Sequence, residues 1–236
     1  MIKTTLITGA TRRIGKIIAL GLLKDNHNII NISKSGLTPD IFLNKKFTSY
    51  KCDISDITST YNLVNDIVKR NKIDNVILNS GITKDKLFHK MNMNDWTDVL
   101  NTNLLSIYGV LNPIINQMRD NNKGNIIFIS SINSHRGVIG QTNYSSSKNG
   151  INAFSKSLAL ENSSKNIKCN VISPGYIDTE MLKNINEEIV NKIKNEIPMK
   201  RFGQPEEILD LVKLLLSDNN YFQGSNIDIN GGLYMR

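Results

Sequence analysis

Tyr144 and Lys148 stand one helical turn apart in "TNYSSSK", and Ser131 closes the apolar run "GNIIFISS" upstream of them. Residues at i and i+4 share one face of a helix. A tyrosine hydroxyl ordinarily titrates near pH ~10. A cation one turn away favours the phenolate and lowers that value, which yields a proton donor usable near neutral pH. A serine hydroxyl at a strand end can donate a hydrogen bond to a substrate carbonyl. A Tyr-x-x-x-Lys pair alone often does no more than pack a helix surface. The upstream serine and the loop described next make chance a poor explanation.

That loop is "TGATRRIG" at 8–15, directly after the apolar run "TTLI". Gly9 allows a tight turn at a strand end, and Gly15 allows close packing of a helix on a sheet. Free N–H groups at the helix start can hold pyrophosphate. Arg13 stands where a middle glycine is expected. The expectation is that its backbone stays near helical geometry and its side chain points outward, adding a cation beside the phosphates. NAD sites place an acidic residue about 20 residues further on. Here that region reads "NISKSG", with Ser33, Lys34 and Ser35 and no carboxylate. Arg12 and Lys34 suit a 2′-phosphate instead, so NADP(H) is the expected cofactor. The alternative is that both are ordinary solvated cations.

The elements that must position these residues alternate along the chain. Strand candidates are "TTLIT", "NIINIS", "FTSYKCD", "NVILNS", "GNIIFIS", "IKCNVIS" and "NIDING". Between them lie helical patterns. One starts at Ile14, with Ile17, Ile18, Gly21 and Leu22 on one face. Another covers about 144–161, with an apolar stripe of Ile151, Phe154 and Leu158. A third opens at "QPEEILDLV", where Pro205 takes the first helical position and Glu206 and Glu207 suit the positive end. Strands read as nearly apolar throughout, separated by helices, predict an α/β fold: a Rossmann-type doubly wound parallel sheet with helices on both faces. No linker or repeat divides the chain, so residues 1–236 read as one domain. The polar stretch at about 176–203, helical around "INEEIVNKIKNEI" and interrupted by Pro198, reads as a helical cover over the substrate.

Composition excludes several classes. The 236 residues are 39% hydrophobic and 21% charged, as in globular domains. No apolar run approaches the ~18 residues of a membrane span, and "IKTTLITGA" enters a strand at once, leaving no room for a signal peptide. The formal charge of +8 comes from scattered lysines. It forms no basic helix stripe interleaved with aromatics, so nucleic acid is not the expected partner. Cys52 and Cys169 lack metal-ligand spacing and read as buried free thiols, which fits a reducing compartment such as the cytoplasm. His27, His89 and His135 form no cluster and read as surface or loop residues. No metal site is expected.

With the Ser131, Tyr144, Lys148 constellation in place, the sequence resembles the short-chain dehydrogenase/reductase family almost end to end. The resemblance rests on "TGATRRIG", Asp53 in "CDISD", "NSG" at 79–81, "NTNL" around Asn103, "SPGYIDT" at 173–179 and the terminal "INGGLYM". It implies a catalytic tetrad of Asn103, Ser131, Tyr144 and Lys148. In it Tyr144 protonates the carbonyl oxygen and Ser131 polarises the carbonyl. Lys148 binds the nicotinamide ribose and depresses the Tyr144 pKa, while Asn103 holds a water. It also implies cofactor contacts from Gly9, Thr11, Arg12, Arg13, Ile14, Lys34, Ser80, Gly81, Pro174 and Gly175. Asp53 and Ile54 would lie at the adenine, Asn79 along the cofactor, and Ile177 and Thr179 at the carboxamide. Where the family has "NNAG", this chain has Leu78 and Ser80 in "LNSG".

Within the family, "GITKD", "QTNYSSSK", "SPGYIDTEM", "RFGQPEEI" and "NGGLYM" look like the 3-oxoacyl thioester reductases, whose acyl group rides on acyl carrier protein or CoA. Gln141 and Tyr176 match positions near the acyl group in the CoA-using branch. Lys165 and Lys123 keep only part of the basic patch used with carrier protein. Other readings are a pteridine reductase, some of which carry a basic residue at the place of Arg13, and a non-catalytic nucleotide-binding scaffold, which usually loses Tyr or Lys. The resemblance further implies a homotetramer, with Ser145, Ser146 and Ser147 permitting close helix contact between subunits and "NGGLYMR" near another interface.

Overall fold

Runs rich in isoleucine, valine and threonine form the strands, because β-branched side chains fit a pleated surface. The structure, a computed structural model, describes residues 2–36, 44–180 and 186–235. The strands are β1 (Thr4–Thr8), β2 (Asn28–Ser33), β3 (Phe47–Lys51), β4 (Asn75–Leu78), β5 (Gly124–Ile129), β6 (Ile167–Pro174) and β7 (Asn226–Ile229). All pair in parallel, in the order β3-β2-β1-β4-β5-β6-β7. The order reverses between β1 and β4. At that point the crossovers leave in opposite directions and open a crevice at the carboxyl ends of the strands.

Helices cover both faces, as parallel crossovers require. On one face lie α1 (Arg13–Lys24) and α7 (Pro205–Leu216). Ile18, Ala19 and Leu22 pack there with Ile208, Val212 and Leu215. Ile18, Gly21 and Leu22 are buried as their spacing predicts, while Ile17 is half-buried. Pro205 opens α7, and the Glu207 carboxylate accepts the Gln204 N–H at 2.7 Å, capping its first turn. On the other face lie α2 (Ile57–Arg70), α4 (Ser106–Asp120) and α5 (Thr142–Asn162). Val64, Ile67, Ile107, Ile114 and Ile151 form that core. A short α3 (Met93–Leu100) runs into α4 through a π-helical turn, Asn101–Leu105. Within the predicted cover, α6 (Glu187–Glu196) is observed, whereas residues 181–185 lie outside the described residues.

Two readings of the pattern change. The strands are not purely apolar: Asn31, Asn75, Asn125 and Asn170 are almost fully buried in them. Burial is tolerated because each is hydrogen-bonded. Asn125 Nδ2 donates to Asn75 Oδ1 at 3.0 Å, and Asn75 Nδ2 donates to Thr5 Oγ1 at 3.0 Å. Thr5 Oγ1 in turn meets His27 Nδ1 at 2.9 Å, so His27 ends a buried polar ladder rather than lying loose on the surface. The stripe on α5 also differs. Ile151 is buried, but Phe154 is 38% exposed and only meets Phe128 edge-on. The buried face of α5 is instead mostly polar, with Asn143, Ser147, Lys148, Asn152 and Ser155.

The β1–α1 loop turns at Gly9, φ +76°. Gly15 is needed for contact: a Cβ there would lie 2.2 Å from the Gly9 carbonyl oxygen and 2.5 Å from Asn79 Nδ2. Arg13 departs from the helical backbone expected of it. Its φ is +51°, the left-handed region that glycine enters freely and other residues enter at a cost. The residue therefore occupies a glycine conformation with an exposed side chain. Arg13→Gly should raise stability by about 1 kcal/mol and keep activity; urea unfolding and a rate measurement check both.

Candidate functional site

Ser131 follows β5 and caps a 3-10 turn, Ile132–Ser134, its Oγ accepting the Asn133 N–H at 3.2 Å. Tyr144 is the third residue of α5, and Ser131 lies near enough to act on its hydroxyl, opposing the rise in its pKa. Lys148 lies one turn further along α5 and is 3% exposed. Its Nζ donates to the Ile129 carbonyl at 2.8 Å and sits 5.8 Å from the centre of the Tyr144 ring.

The electrostatics run opposite to the simple expectation for an adjacent cation. Burial pushes the Lys148 ammonium down to about 8. Burial also raises the Tyr144 phenol, a hydrogen bond from Ser131 opposes the rise, and the charge of Asp85 adds to it. With its Nζ turned to a backbone carbonyl, Lys148 does not depress the phenol of the free protein. Desolvation disfavours the charged form of both groups, yet at about 8 the lysine still carries its proton at neutral pH.

Asn103 is placed by the π-helical turn, a distortion that often marks functional positions. Its Oδ1 accepts the Ile82 N–H at 2.8 Å, and its Nδ2 donates to the Ile82 carbonyl and to Ser147 Oγ, each at 3.0 Å. Gly81 lies against both Asn103 and Lys148: a Cβ there would be 3.3 Å from Asn103 Oδ1 and from Lys148 Nζ. The structure therefore brings Asn103, Ser131, Tyr144 and Lys148 to one place beside "NSG". Ser147 bonds Asn103 and the Tyr144 carbonyl inside the protomer, which removes it from the set expected at a subunit contact.

The loop at 8–15 meets the same corner. Asn79 Nδ2 donates to the Thr8 and Gly9 carbonyls at 3.1 and 3.2 Å, and the Asn79 and Ser80 N–H groups both donate to Thr8 Oγ1 at 3.1 Å. Asn31, from within β2, accepts the Ala10 N–H at 2.8 Å. Thr11 is buried and shares a hydrogen bond with Ser35. Arg12 and Arg13 are exposed at the start of α1, while half-buried Ile14 packs against the core. Lys34 Nζ bonds Asp53 Oδ2 at 2.6 Å and holds the carboxyl below its usual range, but the lysine side chain is 81% exposed, so the pair is a weak surface one. Among the described residues Arg12 has no ion-pair partner. Ile54 and Ile177 are buried in the two cores, so a ligand would meet their backbones. Pro174 ends β6. A Cβ on Gly175 would lie 2.9 Å from Asn230. Thr179 is half-buried. These residues and loops fit a dinucleotide: the glycine cradle, helix start and paired strand ends occupy the switch point of the sheet.

Gln141 and Tyr176 reach different neighbours. Gln141 bonds Asn133 and Asp85, whereas Tyr176 lies near Phe202 on the 176–203 segment. Asn31, Asn143, Asn133 and Asp85 escaped the sequence reading. Asn31 carried one signal, an amide inside the apolar run "NIINIS". His135 is also not a loose surface residue, since it stacks on Tyr234 and faces Asn226 and Asp228. Cys169 is buried with its thiol pushed up to about 12, while Cys52 is only half-buried and lies just beyond β3. Lys123 is committed to Asp218. Among the described residues no cluster of His, Cys, Asp and Glu could hold a metal, and no helix is long and apolar enough to cross a membrane.

The short chain dehydrogenase family model matches residues 3–190. The chain belongs to the short-chain dehydrogenase family. This is a family of oxidoreductases that use nicotinamide cofactors. The chain is 38% identical to the 3-oxoacyl-acyl-carrier-protein reductase FabG of Buchnera aphidicola subsp. Acyrthosiphon pisum, over 99% of this chain and 98% of the relative. It is also 38% identical to the acetoacetyl-CoA reductase of Shinella zoogloeoides, over 99% of both chains. The acetoacetyl-CoA reductase of Cupriavidus necator is 36% identical over 97% of both.

In this dehydrogenase the buried lysine has a thermodynamic signature. The unfolded side chain titrates at its ordinary value of 10.5 and the folded one at about 8. Between those values the unfolded chain holds the extra proton, so stability rises with pH. Below about 8 both states are protonated and the buried charge exerts its full cost. Lys148→Met should therefore stabilise the protein at pH 7 by roughly 1–2 kcal/mol, after the loss of the bond to Ile129. The gain should shrink as pH rises towards 10; urea unfolding of both forms across that range measures it.

Proposed function

We propose that this protein reduces a 3-oxoacyl thioester, carried on acyl carrier protein or CoA, to the 3-hydroxyacyl thioester with NADPH. The observation that carries the reading is the convergence of Ser131 at the end of β5 with Tyr144 and buried Lys148, one turn apart on α5, the lysine bonded to the Ile129 carbonyl. The thioester class is supported by the names of the relatives, which are full-length matches.

Bound NADPH supplies a hydride to the carbonyl carbon. The chain's own residues do the rest. Ser131 donates a hydrogen bond to the substrate carbonyl and orients it, and Tyr144 delivers a proton to that oxygen. The raised Tyr144 pKa keeps the phenol protonated in the resting protein. Lys148 Nζ would also donate to a ribose hydroxyl of the cofactor, and its ammonium would favour the phenolate that forms. Asn103 fixes Gly81 and Ile82 beside Lys148 and holds the water that passes a proton to it. Gly9, Thr11, Ile14 and Asn79 would cradle the dinucleotide. Arg12 would meet the 2′-phosphate, and the Lys34–Asp53 pair would border the adenosine. The 176–203 segment would cover the acyl group, with Tyr176 and Gln141 on its walls.

Exposed Tyr108 on α4, and Phe154 and Leu160 on α5, support assembly as a homotetramer. The free cysteines suit the cytoplasm.

Steady-state rates with NADPH and NADH, across acetoacetyl-CoA and acetoacetyl-carrier protein, test the assignment; absence of turnover with both substrates would sink it. Tyr144→Phe should lower kcat at least ~100-fold while leaving cofactor affinity intact, since it removes the proton donor alone. Arg12→Ala should raise the KM for NADPH by about tenfold and that for NADH little; equal effects on both would refute the 2′-phosphate contact.

A further inference from the structure

A hydrogen-bonded path leaves Ser131 and ends on a carboxylate. The Asn133 N–H donates to Ser131 Oγ at 3.2 Å, Asn133 Nδ2 donates to Gln141 Oε1 at 2.9 Å, and Gln141 Nε2 donates to Asp85 Oδ2 at 2.7 Å. The segment carrying Asp85 is pinned on both sides. The Lys86 N–H donates to the Gly140 carbonyl at 2.9 Å, and Asn143 Nδ2, fully buried, donates to the Lys84 carbonyl at 3.1 Å.

The charge on this segment is unevenly compensated. Lys84 Nζ is bonded to Asp98 and Lys86 Nζ to Asp95, each at 2.6 Å. Both flanking cations are therefore committed to α3. Among the described residues no cation pairs with Asp85, and its side chain is exposed. Its charge is also felt at the Tyr144 hydroxyl. A carboxylate without a cation partner among the described residues thus ends the path from Ser131, within electrostatic reach of Tyr144.

We propose that Asp85 is a specificity-determining residue that excludes substrates bearing a carboxylate next to the reacting carbonyl and selects those whose neighbouring carbonyl is uncharged, as in a thioester. The inference rests on the reductase reading above. A free 3-oxo acid and its thioester differ at that one group. Like charges repel, and the repulsion grows as a bound substrate displaces water from between them; rejecting the wrong substrate by such repulsion is a common route to selectivity. Asparagine at 85 can still accept from Gln141, so Asp85→Asn removes the charge and keeps the path.

The experiment compares kcat/KM for 3-oxobutanoate and its uncharged ethyl ester, with the intact protein and NADPH. These probes make the outcome independent of the carrier. The wild type is expected to prefer the ester, Asp85→Asn to narrow the preference by about tenfold, and Asp85→Glu to keep most of it. Added salt should narrow the preference of the wild type and leave that of Asp85→Asn unchanged. A purely structural role for Asp85 would alter both probes alike. If the wild type reduces both probes but Asp85→Asn leaves their ratio unchanged, the exclusion role is overturned and the reductase reading stands. If the wild type reduces neither the ester nor the thioesters, the reductase reading falls and the exclusion role falls with it.

Discussion

Burial of the Lys148 ammonium is the constraint around which the rest of the site is arranged. A cation this deeply desolvated needs a fixed acceptor, or it gives up its proton. The acceptor is the carbonyl of Ile129 at the end of β5. That bond, together with Ser130 Oγ donating to the Lys148 carbonyl at 3.0 Å, ties α5 to the central sheet at the place where Ser131 leaves it. The inward face of α5 is polar for its own reasons: Asn143 donates to the Asp95 carbonyl, Ser147 to the Tyr144 carbonyl and Asn152 to Ser134 Oγ. An apolar face would leave those buried acceptors without these donors.

The cofactor side meets this arrangement at the end of β4. Thr8, Asn79 and Ser80 lock the β1 loop to the β4 loop through four hydrogen bonds. Two residues on, Gly81 leaves just enough room for Asn103 and Lys148. Binding chemistry and proton chemistry therefore share one short backbone segment. A shift in either loop would be felt by the other, because neither has slack at these contact distances.

Much of this was legible in the chain. The alternation of β-branched runs with helical patterns specified a doubly wound parallel sheet, and the three-residue constellation Ser131, Tyr144, Lys148 pointed to the site. These signals are local: a period of residues, or a spacing within one helix, is written directly in the order of side chains. Legibility stopped where a property depends on what a distant segment brings. The polar face of α5 looked like a broken apolar stripe until β5 and the 3-10 turn supplied its partners. Lys34 looked like a solitary cation until the end of β3 delivered Asp53 to it. Arg13 looked helical because the order of residues carries no record of φ, which is +51° there.

By itself, then, the sequence determined the fold class, the strand and helix order, and which residue types could transfer a proton or cradle a phosphate, since these follow from periodicity and from chemistry carried within single short segments. Only the tertiary structure decided their charge states and partners. Desolvation lowers Lys148 and raises Tyr144, the Lys34–Asp53 pair joins two strand ends, and Asp85 stands at the end of a path from Ser131. Each of these depends on distances between segments far apart in the chain, and electrostatic energies are set by such distances and by burial rather than by the order of residues.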